Sequence, residues 1–188
     1  MASPISICSN ALIMLGDKPI ASFTEGTKAA LIAANLYPDA KRDFLRGHPW
    51  NAAIKRTTLA PLADVPEHGY SHQFQLPADF LRMLDVVDGQ EFKIEGRRVL
   101  ADTTVLRIKY VADVPEDGWD AGMVSAMTVK MAALMALPIT ESATQAEALA
   151  GAAERAVRRA KAIDGMEDTP DSIDDDPLYR ARFSGGGW

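Results

Sequence analysis

The sequence predicts an α+β protein: mainly a helical bundle, with an inserted small antiparallel β-sheet or hairpin and an extended C-terminal arm. Three observations carry this. Apolar residues recur at helical spacing at both ends of the body. The spacing changes to strict alternation in the centre. Beyond residue 163 no period remains, and acids accumulate.

Ser3-Pro4 opens the first helix, a hydroxyl cap followed by proline at the first helical position. Ile5, Cys8, Leu12 and Leu15 follow at helical spacing, giving a helix over about 4–15. Gly16 can end it in the left-handed region, and Pro19 prevents resumption. Thr27 caps a second helix over about 27–46, with the stripe Ala29, Ala33, Leu36, Ala40 and Phe44. Pro38 lies inside that stripe and lacks the N–H the ladder needs, so a kink or break is expected near Tyr37. Gly47-His48-Pro49-Trp50-Asn51 then leaves the helix. Pro49 and Trp50 are expected to form a structural anchor where helices meet the sheet, and His48 to fix a turn.

Residues 59–69 read as a loop, with Pro61, Pro66 and Gly69. The β-region is expected over about 70–111. Tyr70, His72, Phe74 and Leu76 alternate with polar residues, Pro77 stops them, and 92–94 and 98–100 flank a tight turn at Gly96. Val105, Arg107, Lys109 and Val111 alternate with Leu106, Ile108 and Tyr110 in a last strand. A third helix over about 119–137 carries Met123, Met127, Met131 and Met135 and is stopped by Pro138. A fourth, over 140–163, carries Leu149, Ala153, Ala156, Ala160 and Ile163. Arg155, Arg158, Arg159 and Lys161 crowd its C-terminal end, where cations suit the helix dipole. The organisation is thus a body over 1–163 and an arm over 164–188.

Composition narrows the function classes. The net charge is −6, yet residues 1–163 hold 18 Lys+Arg against 19 Asp+Glu. The acids Asp164, Glu167, Asp168, Asp171, Asp174, Asp175 and Asp176 stand without a base between them. A near-neutral body argues against a general nucleic-acid binder. A lone cysteine, Cys8, excludes a disulfide framework and reads as a core residue. MASPISIC lacks the features of a secretory signal, and no apolar stretch is expected to span a bilayer.

Candidate chemistry is sparse. His68 and His72 are four apart, but Gly69 and the alternation place them in loop and strand. The glycines form neither a dinucleotide fingerprint nor a phosphate loop, and no serine sits in a nucleophile elbow. No catalytic residue, cofactor or metal is expected. Leu178, Tyr179, Arg180, Arg182, Phe183 and Trp188 form a different kind of set, anchors for a partner's groove at the end of an arm that is mobile until bound.

Four ordered phrases, ALIMLGDKPIASFTEG at 11–26, LYPDAKRDFLRGHPWNAAIKR at 36–56, GYSHQFQLPADFLRMLDV at 69–86 and RIKYVADVPEDGW at 107–119, resemble the tail tubular protein A family, the head-to-tail adaptors of short-tailed bacteriophages. The resemblance implies a structural virion protein, made in the host cytoplasm and placed in the neck. It implies a ring, typically dodecameric, of identical subunits between the portal protein and a tail nozzle or tube protein. Genomic DNA passes the lumen without sequence-specific binding, and no membrane is involved. The family offers no catalytic residues. Its C-terminal segment docks on the portal, which maps by order onto 164–188. Two other classes stand beside this one: a helix-turn-helix regulator built on the first two helices, and a small metal or thiol enzyme using His48, His68, His72 or Cys8.

Overall fold

The computed structural model describes residues 2–167. It is α+β: four helices carry the bundle and two small antiparallel sheets complete it. Helix α1 spans Pro4–Met14 and α2 spans Lys28–Arg46. Strand β1 is Ile54–Leu59, β2 His72–Gln75, β3 Phe80–Val86, β4 Phe92–Glu95, β5 Arg98–Ala101 and β6 Leu106–Ala112. Helix α3 spans Ala121–Thr140 and α4 Ala143–Asp164.

Local chemistry explains the helix ends. The Ser3 hydroxyl accepts from the Ser6 amide at 3.1 Å, while the Ser6 hydroxyl accepts from the Ser3 amide at 2.9 Å. Two amide donors that helix geometry leaves orphaned are thereby satisfied. Gly16 ends the first turn after α1 with φ +80°, as a left-handed stop requires. Thr27 caps α2, and Asp120 caps α3 by accepting from the Gly122 and Met123 amides.

Several expectations need correction. Neither proline ends its helix: α2 runs through Pro38, and α3 runs through Pro138 to Thr140. Buried Ala33, Tyr37 and Ala40 hold α2 from outside on both sides of Pro38, so packing overrides the missing hydrogen bond. Helix α3 stops where Glu141 turns left-handed at φ 56°. Ser142 caps α4, which begins at Ala143 rather than at 140. Helix α3 is also long and apolar enough, by length and composition, to cross a bilayer. Its apolarity has a local reason: α1, α2 and α4 all pack on it, burying Met123, Met127, Met131 and Met135 completely.

The β-region is two sheets rather than one. The first has the order β1-β6-β3 and the second β2-β5-β4. Strand β1 lies before the expected region and was hidden by its pattern. It is an edge strand whose Lys55, Arg56 and Thr58 are exposed, so it shows no apolar period. It pairs with β6 from Ile54↔Val111 to Leu59↔Leu106. The hairpin β4–β5 is as expected, joined at Gly96 with φ +60°. Strand β2 is shorter than the alternation suggested, and it buries Gln73 beside Phe74. The Gln73 amide donates to the Asp64 carbonyl at 2.8 Å and its oxygen accepts from Arg98 at 2.8 Å, which compensates burial. One apolar cluster joins the bundle to both sheets.

On the first sheet, Asp79 accepts from Lys55 Nζ at 2.6 Å and from the Tyr110 hydroxyl at 3.1 Å. Partial burial pushes the Asp79 carboxyl up, but these two bonds outweigh it and hold it below its ordinary value of 3.8. Burial and the same contact push the Tyr110 phenol up to about 12.

Two outcomes follow from this packing. Trp50 is wholly buried, so Trp50→Ala should cost about 3–5 kcal/mol in denaturant unfolding; an unchanged midpoint would place the ring outside the core. Asp79, with its folded pKa lowered, stabilises the fold fully above its unfolded pKa and loses that contribution as pH falls through the folded one. Asp79→Asn should therefore melt lower than the parent at neutral pH. The gap should narrow steadily below about pH 4. A gap independent of pH would remove the carboxylate from the explanation.

Candidate functional site

The end of α2 turns the chain into the HPWN phrase, and there the two ends of the body meet. The Trp50 indole stacks on Phe44 with centroids 4.7 Å apart, and its N–H donates to the Phe44 carbonyl at 3.0 Å. Trp119 packs tilted against Phe44, with centroids 5.6 Å apart. It is thus a buried staple rather than an exposed contact. Pro49 is half-buried beside Trp50, and the His48 ring meets the Trp50 ring edge-on at 4.7 Å.

His48 does more than fix a turn. Its Nε2 lies 2.9 Å from Asp164 Oδ2. A carboxylate oxygen only accepts, so this nitrogen carries the proton. The other oxygen of Asp164 accepts from the Asn51 amide at 3.0 Å, and the Asn51 side chain donates to the Asp164 carbonyl at 2.8 Å. Lys161 Nζ donates to the Gly47 carbonyl at 3.0 Å. The last turn of α4 is therefore fastened to the loop after α2 by four hydrogen bonds. Asp164 is only 6% exposed. Its assignment to the arm is corrected: it closes α4 as part of the body, because the His48 and Asn51 donors need a buried acceptor.

A second polar cluster lies under α2. The Tyr37 hydroxyl donates to Glu116 Oε1 at 2.9 Å, and Lys41 Nζ stands 3.1 Å from both Glu116 and Asp113. Burial, then the Glu116 charge, pushes the Tyr37 phenol above its ordinary range. The same two causes push the Cys8 thiol up to about 12. Cys8 is fully buried and stays a protonated core thiol, unsuited to act as a nucleophile.

The histidines do not converge. His68 is exposed in the loop before β2, His72 lies on β2, and His48 is bound to Asp164. Among the described residues, no group of three His, Cys, Asp or Glu side chains could hold a metal ion. The expected portal anchors Leu178, Tyr179, Arg180, Arg182, Phe183 and Trp188 lie outside the described residues. Arg155, Arg158 and Arg159 are exposed on α4.

Asp164, Asn51, Glu116 and Lys41 escaped the sequence reading. Asp164 and His48 are 116 positions apart, and a single aspartate at the start of an acidic run carries no pairing signal. Comparison of the chain with models of known protein families and with curated protein sequences finds no match to either.

Removing the Asp164 carboxylate strands the His48 and Asn51 donors. Asp164→Ala should destabilise by roughly 1–3 kcal/mol, and Asp164→Asn, which keeps an acceptor, by less. Equal unfolding midpoints for parent and alanine variant would show that water replaces the clamp at no cost.

Proposed function

We propose that this chain is a subunit of a bacteriophage head-to-tail adaptor, forming a ring of identical copies between portal and tail and continuing the DNA channel. The four phrases resembling the tail tubular protein A family give this reading its content. The observation that carries it is the clamp on Asp164. His48 and Asn51 belong to one of those phrases, and they hold Asp164, the last residue of α4, against the loop after α2. An arm that must find a site on another protein gains from a rigid root, because less freedom is lost on docking.

Two surface features suit a ring subunit. Strand β4 is an edge strand with all four residues exposed, and Phe92 and Ile94 are each more than one-third accessible. Unpaired strand edges with apolar side chains are surfaces for neighbours. The near-neutral charge of 1–163 suits a lumen wall that lets DNA pass, since many phosphate contacts would hold it. The partners on this reading are the portal protein, the tail nozzle or tube protein, and copies of this chain. The work is positional and needs no catalytic group, cofactor or membrane.

The arm carries the portal contact in this reading, through Leu178, Tyr179, Arg180, Arg182, Phe183 and Trp188. A dozen such contacts acting together would supply avidity that one could not. Deleting 177–188 should leave the circular dichroism of the body intact while abolishing attachment to tail-less, portal-bearing heads. Attachment and tail addition by the truncated chain would refute the arm as anchor.

A further inference from the structure

The second sheet, β2-β5-β4, has two unlike edges. The outer side of β2 is covered: Pro61 bridges to Phe74, and the Leu62 amide donates to the Gln73 carbonyl at 2.8 Å. Among the described residues no strand pairs with the outer side of β4, and Phe92, Lys93, Ile94 and Glu95 are all exposed.

Backbone geometry sets which groups that edge offers. In an antiparallel pair, opposed residues alternately exchange both hydrogen bonds and exchange none. Gly96 and Arg97 form a two-residue turn, so the flanking pair Glu95↔Arg98 exchanges bonds, and so does Lys93↔Leu100. The Leu62 bond agrees with this: Gln73 stands opposite Leu100 and turns its carbonyl away from it. Phe92 and Ile94 therefore point their N–H and C=O groups away from β5, along the open edge. The side chain of Ile94 lies on the face that continues through Val99 to Phe74, both wholly buried. Phe92 is 38% and Ile94 39% exposed, so this apolar layer ends unfinished at β4. Natural edges are commonly blunted by proline, a bulge or lysine. Strand β4 has no proline, its register with β5 is unbroken, and its one lysine stands 2.7 Å from Glu95.

We infer that β4 is the seat for β4 of a second copy, paired antiparallel about a two-fold axis at Ile94, so that two three-stranded sheets join into one. Charge decides both the occupant and the register. Registers that bring the outward backbone groups together are centred on Phe92, Lys93 or Ile94. Centred on Lys93, the pairing sets lysine against lysine and Glu91 against Glu95, and like charges directly opposite repel. Centred on Phe92, it draws on Gln90 and Glu91, which lie outside the strand. Centred on Ile94, it sets Lys93 against Glu95 twice and brings the two Ile94 side chains together. Those charge pairs fall at the positions that exchange no hydrogen bonds, where opposed side chains stand closest. The contact is short, so the pair is weak and reversible.

The pairing concerns the free chain and does not rest on the adaptor reading. A two-fold contact closes at two copies and builds no ring. Joined to the adaptor reading, it covers the edge of a free subunit until a ring neighbour takes the same strand. The test is sedimentation of the full-length protein from micromolar to near-millimolar concentration. The parent should pass from one copy to two and no further. Lys93→Glu and Glu95→Lys, each alone, oppose like charges twice and should raise the dissociation constant at least about fivefold. Mixed in equal amounts, the two variants regain both attractions and should form a mixed pair as readily as the parent pairs with itself. Ile94→Pro removes an N–H that β5 does not use, so it should keep the circular dichroism of the parent and lose the pair. Should that variant unfold, the charge variants decide alone. A parent that stays single at every concentration would overturn the inference. So would pairing indifferent to both charge changes, or variants that stay apart when mixed. Growth of the parent into a ring would favour the adaptor reading and overturn the two-fold pair. No portal enters these measurements, so the two readings fail separately.

Discussion

The stack of Trp50 on Phe44 is the interaction on which the rest of this structure depends. It occurs where α2 ends, and it turns the chain from helix into the first strand. The indole is large enough to touch α2 through Phe44, the connection into α3 through Trp119 by way of Phe44, and the end of α4 through His48. A flat apolar ring with one donor suits this place, because the donor finds the Phe44 carbonyl and nothing polar is left stranded. Around this stack the polar clamp on Asp164 becomes worthwhile, since the aromatic wall shields its hydrogen bonds from water.

Helix α3 supplies the second constraint. Three other helices pack on it, which its four buried methionines permit by filling irregular gaps. Small residues let α3 and α4 approach closely: a Cβ on Gly122 would stand 3.8 Å from that of Ala160. The buried Tyr37–Glu116–Lys41 cluster works differently. Each charged group there has a partner, so the cluster fixes how α2 sits over the connection into α3 without stranding charge. The clusters at Asp164 and Glu116 join segments far apart in the chain. Both place rigidity in the body.

Much of the helical layer was legible beforehand. Ser3, Thr27 and Gly16 are local signals, and local hydrogen bonds decide them. The β4–β5 hairpin was legible for the same reason, because a two-residue turn with Gly96 admits few geometries. Strand β1 was not, since an edge strand takes its place from β6 and has no apolar period of its own. The prolines misled in the opposite direction. Pro38 and Pro138 do weaken a helix, but the packing on either side of them outweighs one lost hydrogen bond. Trp50 was expected to be buried where helices meet the sheet, and it is wholly buried; the partner at the far side of the clamp, Asp164, was hidden in an acidic run.

By itself the sequence determined the fold class, the four helices, the aromatic anchor and the separation of a near-neutral body from an acidic end. All of these follow from interactions within a turn or a strand, or from composition, which a linear pattern records. Only the tertiary structure decided that there are two sheets, that Asp164 closes the body, and that Cys8 shares its surroundings with Glu116. Each of these joins residues tens of positions apart, and such pairings are set by which surfaces come to rest together.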